Sequence, residues 1–168
     1  SEDLEQQNIT LICQCLSGGR RRMQAEFLAA DTPAVWVMTP WTFETIDLPA
    51  GTVDYLALDA MPFDHPSHAV IGQRAQLFQN GFMEYSLPRL KNRLFRLFRT
   101  FRTICTEHAS IDVLDNRIRE KRYGREVQEY LEAICAGPSA NSDDAQSSHP
   151  PGPKSNSMAP ENWQMNLF

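Results

Sequence analysis

Short apolar runs alternate with longer amphipathic stretches over residues 1–136. "ITLICQC" (9–15) is β-branched and apolar and predicts a strand. A helix follows from Ser17 to about Ala30, with Ser17 as its N-cap and Met23, Phe27 and Leu28 near one face. "AVWVMT" (34–39), "VDYLALDA" (53–60) and "SIDVLD" (110–115) predict three further strands, and helical periodicity covers about 66–79, 87–105 and 122–136. Short apolar strands separated by helices predict an α/β fold, a parallel sheet with helices on both faces. Ligands in such folds gather at the carboxyl ends of the strands, here the loops after Thr39 and Ala60. "SEDLEQQ" reads as the end of a helix with no strand before it, so the sheet is expected to be incomplete at its N-terminal edge and the chain to belong to a longer protein. Residues 137–162, rich in Pro, Ser, Gly and Asn, are expected to form a disordered linker, after which 163–168, "WQMNLF", turn apolar.

The helix at 87–105 carries the least ordinary pattern. In "NRLFRLFRTFRT" (92–103) an arginine stands at every third position: Arg93, Arg96, Arg99 and Arg102. At about 100° per residue, Leu90, Leu94, Leu97, Phe98, Phe101 and Cys105 share one stripe, which is the expected core face. The arginines fan around the rest of the cylinder, and Phe95 falls off the core stripe. A solvated or membrane-surface face accounts for such a pattern. So does phosphate recognition, because a planar guanidinium held near a rigid interface binds oxyanions bidentately.

Composition narrows the choice. The chain has 168 residues, enough for one domain and a tail, and a formal net charge of −5, so any nucleic-acid contact must come from a local basic patch. No apolar run approaches the roughly 18–20 residues of a membrane span, and the acidic, polar start is unlike a signal peptide. Cys13, Cys15, Cys105 and Cys135 do not read as a disulfide framework, which places the chain in a reducing cytoplasm. Cys13 and Cys15 are expected on one face of a strand as buried thiols. His65 and His68 share a loop with no further ligands nearby, so no metal site is expected.

Four blocks in order carry a family resemblance over roughly residues 9–135. "TFETIDLPAG" (42–51) resembles motif V of the DinG/XPD-like superfamily 2 DNA helicases, usually close to "FWEGIDLPG". "AMPFDHPSHAV" (60–70) is similar to the segment that follows it in the family, "LPFPxPSDPV". "FMEYSLPRLKNRLFRLFR" (82–99) resembles "FxEYSLPxAxLxLKQGFGRLIR", whose second half is motif VI, and "IDVLDNRIREKRYGREVQEYL" (111–131) resembles the closing "VxILDxRLxxKxYGxxFLxSL".

The resemblance implies the C-terminal, second RecA-like motor domain of an ATP-dependent DNA helicase, built on a parallel sheet flanked by helices over residues 1–136. It implies that Arg96 and Arg99 are the catalytic arginines that reach ATP, with Glu44, Asp47 and Asn92 completing this domain's share of the nucleotide site. Arginines so placed stabilise the charge that develops as the γ-phosphate leaves. Arg93 and Arg102 have no counterpart in the motif and are assigned to a solvated or backbone-contacting face. The chain has no G-x-x-x-x-G-K-[ST] stretch, so ATP and Mg²⁺ are expected to be held mainly by a preceding motor domain, which is also where any iron–sulfur cluster would lie. Asn92 stands where the motif has Gln, Arg93 and Phe95 where motif VI has Gly, and Thr45 where motif V has Gly. Those departures leave a second reading open, a non-catalytic DNA-binding or clamp-tethered module.

Two further contacts are expected. "SGGRRR" (17–22) opens a helix whose free N–H groups favour a phosphate, so Ser17, Gly18 and Arg20 are candidate contacts to single-stranded DNA; a solvated basic helix start is the alternative. "QMNLF" (164–168) fits the bacterial sliding-clamp-binding pentapeptide, commonly near Q-L-[SD]-L-F, with Gln164 as a hydrogen-bonding anchor and Met165, Leu167 and Phe168 filling an apolar pocket. The alternative is a hydrophobic end that folds back on the body. A cytoplasmic, nucleoid-associated protein of DNA repair or replication follows from this reading.

Overall fold

A computed structural model describes residues 4, 6–65 and 67–136 and the backbone of 164–167. The expected linker at 137–162, Trp163 and Phe168 lie outside the described residues. The chain is mixed α/β, and all its strand pairs are parallel.

The first unit runs from strand β1 (Thr10–Cys13) through a single helical turn, α1 (Gln14–Ser17), and helix α2 (Arg20–Leu28) to strand β2 (Ala34–Val37). β1 and β2 pair in register from Thr10 opposite Ala34 to Cys13 opposite Val37. The chain then continues through helix α3 (Pro40–Glu44), strand β3 (Val53–Leu58) and helix α4 (Ala69–Ala75). A π-helical turn at Phe82–Ser86 leads into the long helix α5 (Leu87–Ile104). Strand β4 (Cys105–Val113), helix α6 (Arg117–Glu120), helix α7 (Gly124–Ala136) and strand β5 (Gln164–Leu167) follow. β4 lies between β3 and β5.

The core is built mainly by α5. Leu87, Leu90, Leu94, Leu97, Phe98, Phe101 and Ile104 are buried against Ile111 and Val113 of β4 and Val127 and Leu131 of α7. This is the stripe expected from the periodicity, and burial of seven large side chains on one helix anchors its opposite, arginine-bearing face to a rigid support.

Several expected boundaries move. Instead of one sheet there are two, β1–β2 and β3–β4–β5, and among the described residues β1, β2, β3 and β5 each have one unpaired edge. Ser17 is not an N-cap: it is buried at the end of α1, and α2 starts three residues later behind Gly19 without a side-chain cap. The chain turns there through Gly18 at φ 87°, a left-handed conformation that glycine adopts without steric cost. The first strand stops at Cys13, so Cys13 and Cys15 are not two buried thiols of one strand; Cys15 is exposed in α1 with its Sγ 2.8 Å from that of Cys13. Leu28, expected near the packed face of α2, is exposed.

β4 begins at Cys105, directly after α5, where the polar run Thr106–His108 hides it from a periodicity reading. Its register against β3 shifts between Val53, opposite Cys105, and Tyr55, opposite Ser110, so the polar run is taken up as a bulge. α3 is not among the expected elements, yet its start is written locally. The Thr39 hydroxyl accepts from the Thr42 N–H at 3.2 Å, and Pro40 occupies the first turn, where its missing N–H costs nothing. Gly124 opens α7 in a place where a Cβ would lie 1.7 Å from the Ile118 carbonyl oxygen, so the turn between α6 and α7 closes only around glycine.

Candidate functional site

α3 and α5 pack against each other, and that contact assembles the charged cluster. Phe43 and Ile46 are buried in the core on either side of Glu44 and Thr45, which fixes this stretch against α5. The Glu44 side chain, 10% exposed, places Oε2 3.1 Å from Nε of Arg96. Its Oε1 lies 3.7 Å from Nε of Arg93, beyond hydrogen-bonding length but within ion-pair range. The two arginines thus share one carboxylate, Arg93 half-buried and Arg96 60% exposed.

A second carboxylate, Asp64, comes from the loop after β3. Its Oδ2 accepts from Arg89 Nε at 2.6 Å and its Oδ1 from Arg93 Nη2 at 3.1 Å, while Arg93 Nη1 also donates to the Pro62 carbonyl at 3.2 Å. The Arg89 hydrogen bond, followed by the nearby Arg93 charge, holds the Asp64 carboxyl below its usual range against the opposing effect of burial. Arg89 also lies 5.3 Å from the Tyr85 ring centroid, a cation–π contact.

Arg93 therefore does not belong to a solvated face. It is the structural centre of the ladder, tied to Glu44, Asp64 and Pro62. Asp64 and Arg89 are not among the expected site residues; the contact spans 25 residues, and no local spacing announces it. Asn92, Arg96 and Arg99 are all exposed on α5 and follow one another at i, i+4 and i+7, a single stripe. Among the described residues Arg99 makes no ion pair. Phe95 is exposed beside this stripe. The face presents more guanidinium than carboxylate charge, a surface suited to an oxyanion.

The next residues of the same stretch meet the other candidate site. Arg20 Nη1 donates to Thr45 Oγ1 at 2.9 Å and lies 3.4 Å from the Thr45 carbonyl oxygen, and Gln24 donates to the Asp47 carbonyl. Asp47 itself is exposed, and its carboxylate takes no part in the Glu44 cluster. Ser17 is buried, whereas Gly18 and Arg20 are exposed at the start of α2. The expected ATP and DNA groups are thus joined through Glu44 and Thr45, neighbours in the chain.

Asp115, two residues after β4, secures the loop that carries Asp64. Its Oδ2 accepts from the buried Met61 N–H at 2.7 Å and from Arg117 Nη2 at 2.6 Å, and its Oδ1 accepts from Arg117 Nε at 2.8 Å. These bonds, Arg117's first, pull the carboxyl down to about 2. Arg117 in turn lies over Phe63, whose ring packs with Phe82 and Tyr123 at centroid distances of 5.7 and 5.5 Å.

Between Cys13 and Cys15 a shared proton lowers the Cys13 thiol and raises that of Cys15. His65 Nδ1 lies 2.6 Å from the Ser67 hydroxyl. Among the described residues no group of three His, Cys, Asp or Glu side chains is arranged to hold a metal, and no helix is long and apolar enough to cross a membrane. The backbone of Gln164–Leu167, containing the expected clamp anchors Gln164, Met165 and Leu167, pairs with β4; Phe168 lies outside the described residues. Searches with the sequence find no protein-family model and no curated protein that matches it.

Proposed function

We propose that the chain is the second RecA-like motor domain of a DinG/XPD-like, ATP-dependent DNA helicase. The observation that carries this reading is the Glu44–Arg96 pair, which joins the stretch resembling motif V to the helix resembling motif VI, with Arg99 one turn further along. ATP would be bound with Mg²⁺ mainly by a preceding domain. Arg96 and Arg99 would meet its phosphates from this side, and Glu44 would hold the Arg96 guanidinium in place until the nucleotide competes for it. Asn92 lines the same stripe, and Asp47 contributes its backbone to the link toward α2. The free edges of β2 and β3 are where a strand from a preceding segment would join the two sheets.

Single-stranded DNA would run past Gly18 and Arg20, its phosphate backbone read without regard to sequence. Coupling would pass through Arg20–Thr45 and Glu44–Arg96, so nucleotide turnover and strand movement share one short stretch. Translocation from 5′ to 3′, duplex unwinding in repair or replication, a cytoplasmic, nucleoid-associated location, and tethering to a sliding clamp through Gln164, Met165, Leu167 and Phe168 complete the proposal.

A second reading has its own support. Arg93 and Phe95 occupy motif positions where glycine permits close backbone approach, and Arg93 is locked by Asp64 and Glu44. This favours a non-catalytic DNA-binding or clamp-tethered module. DNA-stimulated ATP hydrolysis by the full-length protein separates the two: turnover supports the motor, and DNA binding without turnover supports the module.

A further inference from the structure

We infer that the outer edge of β4 is the resting dock of the C-terminal peptide, and that a sliding clamp can take this peptide only by stripping it from the sheet. The inference rests on the clamp reading proposed above for its partner, but the dock itself rests on backbone pairing. Gln164–Leu167 add to β4 as a parallel strand, with Ser110 opposite Gln164, Ile111 opposite Met165, Asp112 opposite Asn166 and Val113 opposite Leu167. An edge strand otherwise leaves a row of free N–H and C=O groups, which readily accept an added strand.

The register explains why docking and clamp binding exclude each other. Ile111 and Val113 are fully buried, so Met165 and Leu167 hold register positions on the core side of β4. These are two of the residues whose side chains the clamp pocket would take. One backbone segment cannot satisfy the β4 ladder and the clamp groove together, and the clamp sees only the undocked fraction. Apparent affinity falls in proportion to that fraction, so a peptide docked nine-tenths of the time binds about tenfold more weakly.

The alternate face offers a clean way to open the dock. Asp112, opposite Asn166, accepts a hydrogen bond from the Tyr55 hydroxyl, and its Oδ1 is buried without a partner among the described residues. A second carboxylate at position 166 places like charges in register, which disfavours pairing. Asn166→Asp leaves Gln164, Met165, Leu167 and Phe168 unchanged and remains within the pentapeptide pattern.

The test has two arms, both on the full-length protein. Hydrogen exchange at residues 110–113 is compared with and without residues 164–168. Deletion is expected to speed exchange of the outward-facing amides at least tenfold, and unchanged exchange overturns the dock whatever the clamp does. Binding to purified clamp is then measured for wild type, Asn166→Asp and Asn166→Asp with Asp112→Asn, each beside an isolated peptide of the same terminal sequence. Relative to its own peptide, Asn166→Asp is expected to bind about 3- to 10-fold more tightly than wild type, with the double variant restored toward wild type. Equal ratios for all three overturn the competition. An isolated peptide that does not bind the clamp, with deletion still speeding exchange, overturns the clamp reading and leaves the dock in place.

Discussion

Glu44 holds Arg96 at 3.1 Å from a position that is nearly buried, while Arg96 itself reaches into solvent. A buried anion gripping one edge of an exposed guanidinium leaves the other edge free to meet a ligand. Arg93, on the preceding turn, has no such freedom, because its Nη1 is bound to Pro62 and its Nη2 to Asp64. The ladder thus divides into an arginine that builds the site and arginines that face outward from it.

That division has a stability signature. Arg93→Ala leaves Asp64 and Glu44 each short of a partner and is expected to cost about 1–2 kcal/mol in chemical denaturation. Arg96→Ala removes an exposed guanidinium but leaves the nearly buried Glu44 with Arg93 at 3.7 Å, and is expected to cost less, about 0.5–1 kcal/mol. Equal losses, or a larger loss at Arg96, would contradict the assignment of Arg93 as the structural member.

Asp115 predicts a pH dependence. Its carboxyl sits at about 2 in the folded chain against an ordinary 3.8, so the folded state binds the proton less readily than the unfolded one. The resulting stabilisation is present in full above about pH 4 and is lost as pH falls toward 2. Asp115→Asn is expected to lower stability at neutral pH by about 1–2 kcal/mol and to flatten the stability curve between pH 4 and 2. An unchanged slope in that window would show that the Met61 and Arg117 bonds do not hold the loop.

The two neighbouring thiols predict unequal reactivity. The hydrogen bond between the two thiols holds Cys13 low and Cys15 high, so Cys13 is expected to react with iodoacetamide at neutral pH faster than Cys105 or Cys135, which burial pushes up, Cys135 to about 12. Replacing Cys15 by Ala should slow Cys13. Peptide mapping after timed alkylation reads both effects, and a Cys13 rate indifferent to Cys15 would contradict the pairing.

What could be read from residue order alone follows the range of the interactions. The core stripe of α5 was legible because Leu90, Leu94, Leu97 and Phe101 repeat at the helical period and all are buried. α3 was equally local, in Thr39 and Pro40, but five residues are too few for a periodic signal. The start of β4 was not legible, since Thr106, Glu107 and His108 break the apolar run inside a bulge. Nor was the role of Arg93, which depends on Asp64 arriving from another loop. A folded-back C-terminal end was one of two readings of residues 164–168, but Ser110–Val113 as its partner was not legible. Glu44 and Arg96 were each picked out by their motifs; their contact needed α3 and α5 to pack.

The decisive measurement is the kcat of DNA-stimulated ATP hydrolysis in the full-length protein, taken for wild type, Arg96→Ala, Arg99→Ala and Arg102→Ala. Measurable turnover is expected in wild type, with a loss of about 100-fold or more for Arg96→Ala and Arg99→Ala and near-wild-type activity for Arg102→Ala. Turnover that survives both Arg96→Ala and Arg99→Ala, or a wild-type protein that binds DNA and never hydrolyses ATP, would contradict the motor reading.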